Sequence, residues 1–320
     1  MYETYTQEIM AEDVQDEVYI ISPVDNPVCS MSRSIRATAR THQWSEDILR
    51  PAKQNKAVEG AASPGTGEKY VTPLENYCQI FTDDAEVSGT VESVDKYGRD
   101  SEMAYQLELT YGALANDEEA AVMGAFYTTT GPGVPQAGAV GDASTARELK
   151  AFVTQLDASV VTASSAASVA ALESELLAVH GVCYGAGGNP GYLMTAPTFA
   201  ANIGNMAYAA GRGRDIRNER RLINVIDLYV SYYGELDVVL DRNIVEIDTA
   251  DATANADLGT YFLVDFNYAA TPVLRPTTDW AIAKAGDSDV RQVLRESTFA
   301  VLNTKAHAAI TGVSSASLPL

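Results

Sequence analysis

QIFTDDAEVSGTVE, residues 79–92, alternates along its length. Phe81, Ala85, Val87, Gly89 and Val91 take the odd positions, and Thr82, Asp84, Glu86, Ser88, Thr90 and Glu92 the even ones. Only Asp83 interrupts the odd series. Successive strand side chains point to opposite faces, so the pattern predicts a strand with one apolar and one wet face. At Gly98 the periodicity becomes helical. Asp100 or Ser101 can cap a helix start by accepting from a free first-turn amide. Met103, Leu107, Tyr111, Leu114 and Val122 then recur at three- and four-residue spacing, predicting a buried face, with Tyr105 and Leu109 flanking it and Gly124 as the stop. A helix over residues 101–124 is about 36 Å long at ~1.5 Å per residue. Strand and helix together predict a subunit that spreads over its neighbours.

At 320 residues and 46% hydrophobic composition the chain can bury a substantial core, as one large or two modest domains. The net charge of −21, from 43 acidic and 22 basic residues, excludes a surface that binds nucleic acid all over, because phosphate contact needs bases to displace counterions. Cys29, Cys78 and Cys183 lie far apart with no CxxC pair, which predicts reduced, buried thiols. The start, MYETYTQEIMAED, is acidic and lacks the basic-then-apolar order of a signal peptide, and no run approaches the ~18 apolar residues of a membrane span. These features predict a soluble protein made in a reducing compartment.

Residues 1–25 carry seven acids (Glu3, Glu8, Glu12, Asp13, Asp16, Glu17 and Asp25) and no base, and read as an arm anchored by a short strand at 18–21. In residues 33–56 the sign reverses: Arg33, Arg36, Arg40, Arg50, Lys53 and Lys56 face only Glu46 and Asp47. The acidic arm of one subunit thus has a complementary partner on another. Residues 59–73 form a Gly/Pro-rich tip, and the flanking 41–58 and 74–94 read as arms of one long hairpin. Isolated hairpins are marginal in water, so a neighbouring copy is the expected cover.

Further along, 128–144 is a loop, and helices are predicted at 145–156 and 166–182, the first better patterned. A glycine-rich turn at 185–191, a strand at 192–195 and a helix from Pro197 to about Ala210 follow. Segments 222–233 and 236–240 read as a hairpin around Gly234, 261–265 as a buried strand, and 280–284 with 291–302 as paired strands. Elements mix without a βαβ rhythm, so the fold class is α+β.

The residues that could carry chemistry do not converge. His42, His180 and His307 are far apart, and none has a second ligand one helical turn away. The turn at 185–191 follows a helix and precedes a strand, the reverse of a dinucleotide fingerprint. Neither GxxxxGK[ST] nor GxSxG occurs. Asp248, Asp251, Asn255 and Asp257 lack calcium-loop spacing and read as a solvated loop, and the pairs Glu118-Glu119 and Asp83-Asp84 are expected from the composition alone. No cofactor, metal or catalytic set is predicted.

Several segments in order resemble one family, the Su10-like major capsid proteins of tailed phages, which have the Hong Kong 97-type capsid fold. They are Thr41-His42-Gln43-Trp44 with Asp47-Ile48-Leu49-Arg50, Val58-Glu59-Gly60, Asn76-Tyr77-Cys78-Gln79-Ile80-Phe81, Val87-Ser88-Gly89-Thr90 and Gly98-Arg99. In the second half they are Gly187-Gly188-Asn189-Pro190, Leu193-Met194, Asp227-Leu228-Tyr229-Val230-Ser231, Gly234, Val238-Val239, Asp265-Phe266-Asn267-Tyr268, Leu274-Arg275-Pro276, Ala283 to Ser288 and Lys305-Ala306-His307. The resemblance covers roughly residues 41–310. It implies an amino-terminal arm (1–38), an extended loop (39–93), a peripheral domain (94–136 and 276–304) with a spine helix near 101–124, and an axial domain with tail (137–275 and 305–320). The acidic 248–257 insert and the Ala/Ser-rich 157–171 stretch depart from the family pattern.

The implied function is a non-enzymatic head protein, assembling as pentamers and hexamers into an icosahedral shell around double-stranded DNA held without sequence specificity. Portal and scaffold or decoration proteins are the implied partners, with no membrane. The implied location is the virion, assembled in host cytoplasm. Arg40, Arg50, Lys53, Lys56, Lys69, Glu12 and Asp13 are the expected inter-subunit contacts. Lys53, Lys56 and Lys69 lie where some shells of this fold place a crosslinking lysine, yet no motif marks a partner asparagine, so no crosslink is expected. The alternatives are an encapsulin-type compartment of the same fold and, from another class, a soluble enzyme built on scattered carboxylates.

Overall fold

A computed structural model describes residues 26–47, 49, 52–62, 71–94, 101–124, 136–209, 228–244, 259–284, 286–313 and 318–319. The elements in chain order are α1 (Pro27–Met31), β1 (Arg33–Arg36), β2 (Thr41–Glu46), β3 (Thr72–Tyr77), β4 (Gln79–Ser88), α2 (Gly89–Ser93) and α3 (Glu102–Met123). Then come β5 (Ala137–Ala139), β6 (Glu148–Lys150), β7 (Val161–Ala163), α4 (Val169–Ala186), β8 (Tyr192–Thr195) and α5 (Ala200–Ala209). The last are β9 (Leu228–Val230), β10 (Glu235–Leu240), β11 (Gly259–Val264), β12 (Ala269–Ala281), β13 (Ser288–Ser297), β14 (Ala300–Val301) and β15 (Ala308–Val313). The described chain forms two compact units, Phe81–Ala115 with Thr277–Arg295, and Asp25–Ile80 with Asn116–Pro276 and Glu296–Leu320.

In the first unit the strand order is β12-β13-β4, with β4 outermost. The alternation appears as predicted: Phe81, Ala85 and Val87 are buried, whereas Thr82, Asp84, Glu86 and Ser88 are exposed. Two details differ. The strand stops at Ser88, whose side chain accepts from Val91 N–H and opens α2, so Gly89 and Val91 leave the alternating face. β4 also joins β13 instead of continuing the long hairpin; that hairpin is limited to β2 and β3, in register from Thr41↔Tyr77 to Glu46↔Thr72. α3 begins as expected, with Ser101 Oγ accepting from Ala104 N–H at 3.3 Å. An unforeseen second acceptor is Glu92 of α2, whose carboxylate receives Glu102 N–H at 2.9 Å and the Ser101 hydroxyl at 2.8 Å. A carboxylate at a helix start suits both the free amides and the helix dipole.

The second unit is built on a six-stranded sheet ordered β7-β15-β11-β8-β10-β9. β11 lies between β15 and β8, antiparallel to both, and all six of its residues are buried. This explains its continuous apolar run, since a strand covered on both faces has no need to alternate. α4 packs against β15 and α5 and buries Val169, Leu172, Leu176, Val179, His180 and Cys183, spaced as one helical face requires. It ends at Gly187, whose φ of +100° is the left-handed conformation that favours glycine at this position. The predicted hairpin appears as β9 and β10, pairing Glu235↔Val230 to Asp237↔Leu228. β1, which the sequence reading left unassigned, runs parallel to the first half of β12, from Arg33↔Ala270 to Arg36↔Val273.

The helix expected at 145–156 is absent. β6 occupies its centre and pairs with β5, and a short 3-10 turn follows at Val153–Gln155. The better helical pattern yields to tertiary partners. Leu149, Ala151 and Phe152 are buried nearly in succession, and Phe152 meets Phe262, Phe299 and His307 edge to face at 5.2–5.6 Å. The predicted helical stretch 166–182 is a helix, displaced three to four residues later as α4, and the 197–210 helix forms a 3-10 turn leading into α5. The features expected at 18–21 and 248–257 lie outside the described residues.

The predicted helix face is partly revised. Leu114 and Val122 are buried and Met103 and Leu107 half-buried, but Tyr111 is exposed and bonds Asp279 through its hydroxyl. Leu114→Asp would bury an unpaired carboxylate, at a cost of roughly 3–5 kcal/mol. The variant is expected to lose cooperative thermal unfolding by circular dichroism, whereas Ala113→Asp, on an exposed position of the same helix, keeps it.

Candidate functional site

Of the expected contact residues, Arg40, Lys53 and Lys56 are described and all three are exposed; Glu12, Asp13, Arg50 and Lys69 lie outside the described residues. Arg40 precedes β2, and its carbonyl accepts Cys78 N–H at 2.8 Å, closing the base of the β2–β3 hairpin. Its side chain lines a groove of about 580 Å³ together with Ile80, Val140, Asp142 and Arg147. Asp142 is committed to a turn: Ser144 and Thr145 donate backbone and hydroxyl hydrogens to it, holding its carboxyl down at about 2. Arg147 is committed too, at 2.6 Å from Glu296. Arg40 has no carboxylate partner among the described residues. Lys53 and Lys56 sit in an irregular run, 52–62, in which every residue is exposed. The described residues therefore bring no two of the predicted contacts together.

The hairpin that precedes and follows this run is held firmly at its base. Trp44 Nε1–H donates to Val301 O at 2.9 Å, and Glu46 accepts from Thr304 N–H at 3.0 Å. Asn76 is completely buried. Its amide group donates to Phe299 O and Lys150 O, and its oxygen accepts from Tyr77 N–H and Lys150 N–H, both at 2.7 Å. Lys150 Nζ adds a bond to Glu75 O and lies 5.4 Å from the centre of the Tyr77 ring.

Two buried carboxylates that the sequence reading treated as compositional accidents are structural. Glu119 accepts Val28 N–H at 2.6 Å and Cys29 N–H at 2.8 Å, so α3 supplies the acceptor for the free amides of α1. Burial pushes its carboxyl above the usual range, against the pull of those donors. Glu118 accepts from the Ser297 hydroxyl at 2.5 Å. A usable signal was present: both precede the apolar run Ala120-Ala121-Val122-Met123 on the helix expected to be buried. Glu296, 3% exposed, is a third such group, bridging Arg147 and Arg275 at 2.6 Å each.

The groups that could do covalent chemistry are sequestered. Burial raises the Cys78 and Cys183 thiols to about 11, far from a reactive thiolate. His180 Nδ1 lies 3.0 Å from Ser231 Oγ, but the ring is fully buried and the hydroxyl also serves Tyr233 N–H, Gly234 N–H and Gly234 O. The pair braces the β9–β10 turn. His307 Nδ1 accepts Asp265 N–H at 3.2 Å, and burial pushes this histidine down to about 4. Among the described residues no group of three His, Cys, Asp or Glu side chains is placed to hold a metal ion, and no helix is long and apolar enough to cross a membrane.

Comparison with known proteins gives a consistent result. The family described as SU10 major capsid protein matches residues 1–314. The major capsid protein of Escherichia phage Phieco32 is 32% identical over 92 residues, 28% of this chain and 26% of that protein, so the match spans about a quarter of the relative's length. Among solved structures, one from Microbacterium phage Oxtober96 superposes with a TM-score of 0.62 at 13% identity, covering 94% of this chain and 96% of the other. The holo-SrpI encapsulin complex of Synechococcus elongatus PCC 7942 gives 0.59 at 8% identity, covering 98% and 96%. At such identities the structures establish the shared fold.

Removing the acceptor in Glu119→Ala strands two amides and is expected to cost roughly 2–4 kcal/mol in denaturant unfolding. Acid should also act through His307. Its proton affinity falls from the ordinary 6.5 to about 4 on folding, so the unfolded chain binds the proton more readily between those values. Its contribution to stability is complete above pH 6.5, is lost as pH falls towards 4, and amounts to about 3 kcal/mol. His307→Asn, which keeps an acceptor near the Asp265 amide, should flatten that part of the stability–pH curve relative to the parent.

Proposed function

The chain belongs to the SU10 major capsid protein family, tailed-phage head proteins with the Hong Kong 97-type capsid fold, and on that premise we propose how it builds a shell. Many copies associate as pentamers and hexamers into an icosahedral head around double-stranded DNA. The observation that carries this reading is the family match along residues 1–314. Strongly exposed apolar side chains support it, among them Leu49 at 87%, Tyr232 at 84% and Val58 at 80%. Contiguous association is how such groups leave water.

In this reading residues 1–38 are the arm, 39–93 the extended loop, 94–136 with 276–304 the peripheral domain, and 137–275 with 305–320 the axial domain and tail. Arg40, Arg50, Lys53, Lys56 and Lys69 form the basic side of inter-subunit contacts, with Glu12 and Asp13 of a neighbour's arm on the acidic side. The net charge of −21 suits a container that must not bind its genome tightly, since DNA is enclosed without sequence-specific contact. A portal and a scaffold or decoration protein complete the head. The subunit itself works without catalysis or cofactor, in a virion assembled in host cytoplasm. An encapsulin-type compartment is the second reading, favoured by the similar fold of the SrpI encapsulin.

Negative-stain microscopy of the purified chain is expected to show closed shells, and particles from infected cells are expected to hold nuclease-protected DNA. Protein cargo in place of DNA would select the compartment reading. Deleting residues 59–73 should leave a folded monomer with a strongly reduced shell yield; a normal yield would remove the extended loop from the assembly contacts.

A further inference from the structure

The tail that follows β15 returns to the start of α4 and is held there at two points. Leu318, only 4% exposed, donates its N–H to Asn202 Oδ1 of α5 at 2.9 Å. Pro319 O accepts the N–H of Val169, the first residue of α4, at 2.8 Å. Asn202 is itself completely buried, and its Nδ2 donates to the Tyr261 hydroxyl of β11 at 3.2 Å. That hydroxyl donates to Phe199 O at 3.0 Å, just ahead of α5. Two side chains thereby join the tail to a fully buried strand of the six-stranded sheet.

The first-turn amides of a helix have no partner within it. In α4 the Ser168 hydroxyl accepts from Ala171 N–H at 3.3 Å, and the Ser168 carbonyl from Leu172 N–H at 3.1 Å. Val169 N–H is taken by the tail. A Leu-Pro pair suits this place. Proline has no N–H to be stranded by burial, and it keeps the residue before it extended. The leucine amide is satisfied by Asn202 while its side chain leaves water. The tail also meets this part of the chain further back. β15 runs parallel to β7, the outermost strand, and Thr311 O accepts Ser164 N–H at 2.7 Å just beyond it. The connection from β7 into α4 is therefore tied to the tail at both of its ends.

We propose that Leu318-Pro319 is a strap: when seated it fixes the start of α4, and a subunit must have it seated to enter a shell. The assembly half of this rests on the shell reading above and goes beyond it by naming an internal condition on the subunit. Tails fray unless tied down, and a frayed first turn of α4 presents many surfaces where a closed shell repeats one.

The test compares the full chain with Leu318→Asp, Leu318→Met and a deletion of residues 318–320. Hydrogen exchange of the unassembled proteins is read at residues 169–172, and assembled fraction by sedimentation and microscopy. Leu318→Asp and the deletion are expected to speed exchange at 169–172 about tenfold, with β2–β3 of the same unit unchanged. Both are expected to lower the assembled fraction about tenfold, since a buried unpaired carboxylate or a missing strap leaves the site open. Leu318→Met, apolar and close in volume, should match the parent in both readings. If neither disruptive variant folds, Leu318→Ala is read instead and should speed exchange at 169–172 about threefold. Unchanged exchange at 169–172 in the variant read, or equal acceleration in β2–β3, would overturn the strap. Normal assembly by a variant whose α4 start has loosened would overturn its role in shell entry. A parent chain that forms no shells counts against the shell reading, and the exchange measurement then decides the strap by itself.

Discussion

A buried amide side chain has two donors and an acceptor oxygen to satisfy, and leaving any of them empty costs more than a bond returns. Asn76 satisfies all of them, with Phe299 O at 2.6 Å, Lys150 O at 3.2 Å, and the amides of Tyr77 and Lys150 at 2.7 Å. Through one residue, β3 is fastened to β6 and to the chain just before β14. Much else in that unit follows from it. In β6 the amides of Lys150 and Leu149 donate to Asn76 and Gln79, which removes from a helix over that stretch two of the amides it would need. The hairpin base is fixed in place, which allows the run beyond it to extend into solvent with no support of its own.

The same accounting separates the acids of this chain into two populations. Glu118, Glu119 and Glu296 are almost fully buried, and each has a donor within 2.9 Å: a serine hydroxyl, a pair of helix amides, or two guanidinium groups. Removing water from a carboxylate is tolerable only on these terms. Asp83, Asp84 and Glu86 are in water and need no partner for the monomer to fold. A net charge of −21 therefore does not describe one uniform surface. Part of it holds the subunit together, and part is left outward.

Much of this was legible in the sequence. Alternation at Phe81, Ala85 and Val87 identified β4, and three- and four-residue spacing identified α3, because local periodicity reports which face a residue turns inward. The α+β class and the β9–β10 hairpin followed from the same signals. What periodicity could not report was pairing between distant segments. β1 is a strand because β12 offers it an edge 237 positions away, as the register Arg33↔Ala270 shows. Glu119 matters because α1, about 90 residues earlier, needs an acceptor. The candidate contacts Arg40, Lys53 and Lys56 were legible as charge and exposure, but the described residues give them no carboxylate partner.

Charge that a monomer leaves unpaired can still be informative about an assembly. A protein that functions alone gains little from segregating bases into one run and acids onto one strand, because interspersed signs are more soluble and less prone to misassociation. Segregation becomes useful when copies must meet in one orientation. Opposite charges on different parts of one subunit define a head-to-tail contact, and such a contact closes into rings when its rotation divides the circle. The exposed β4 carboxylates and the exposed lysines of the 52–62 run are segregated by sign in this way. Weak, salt-screened pairs also suit a shell better than strong ones, since a misplaced subunit can leave before the ring closes around it.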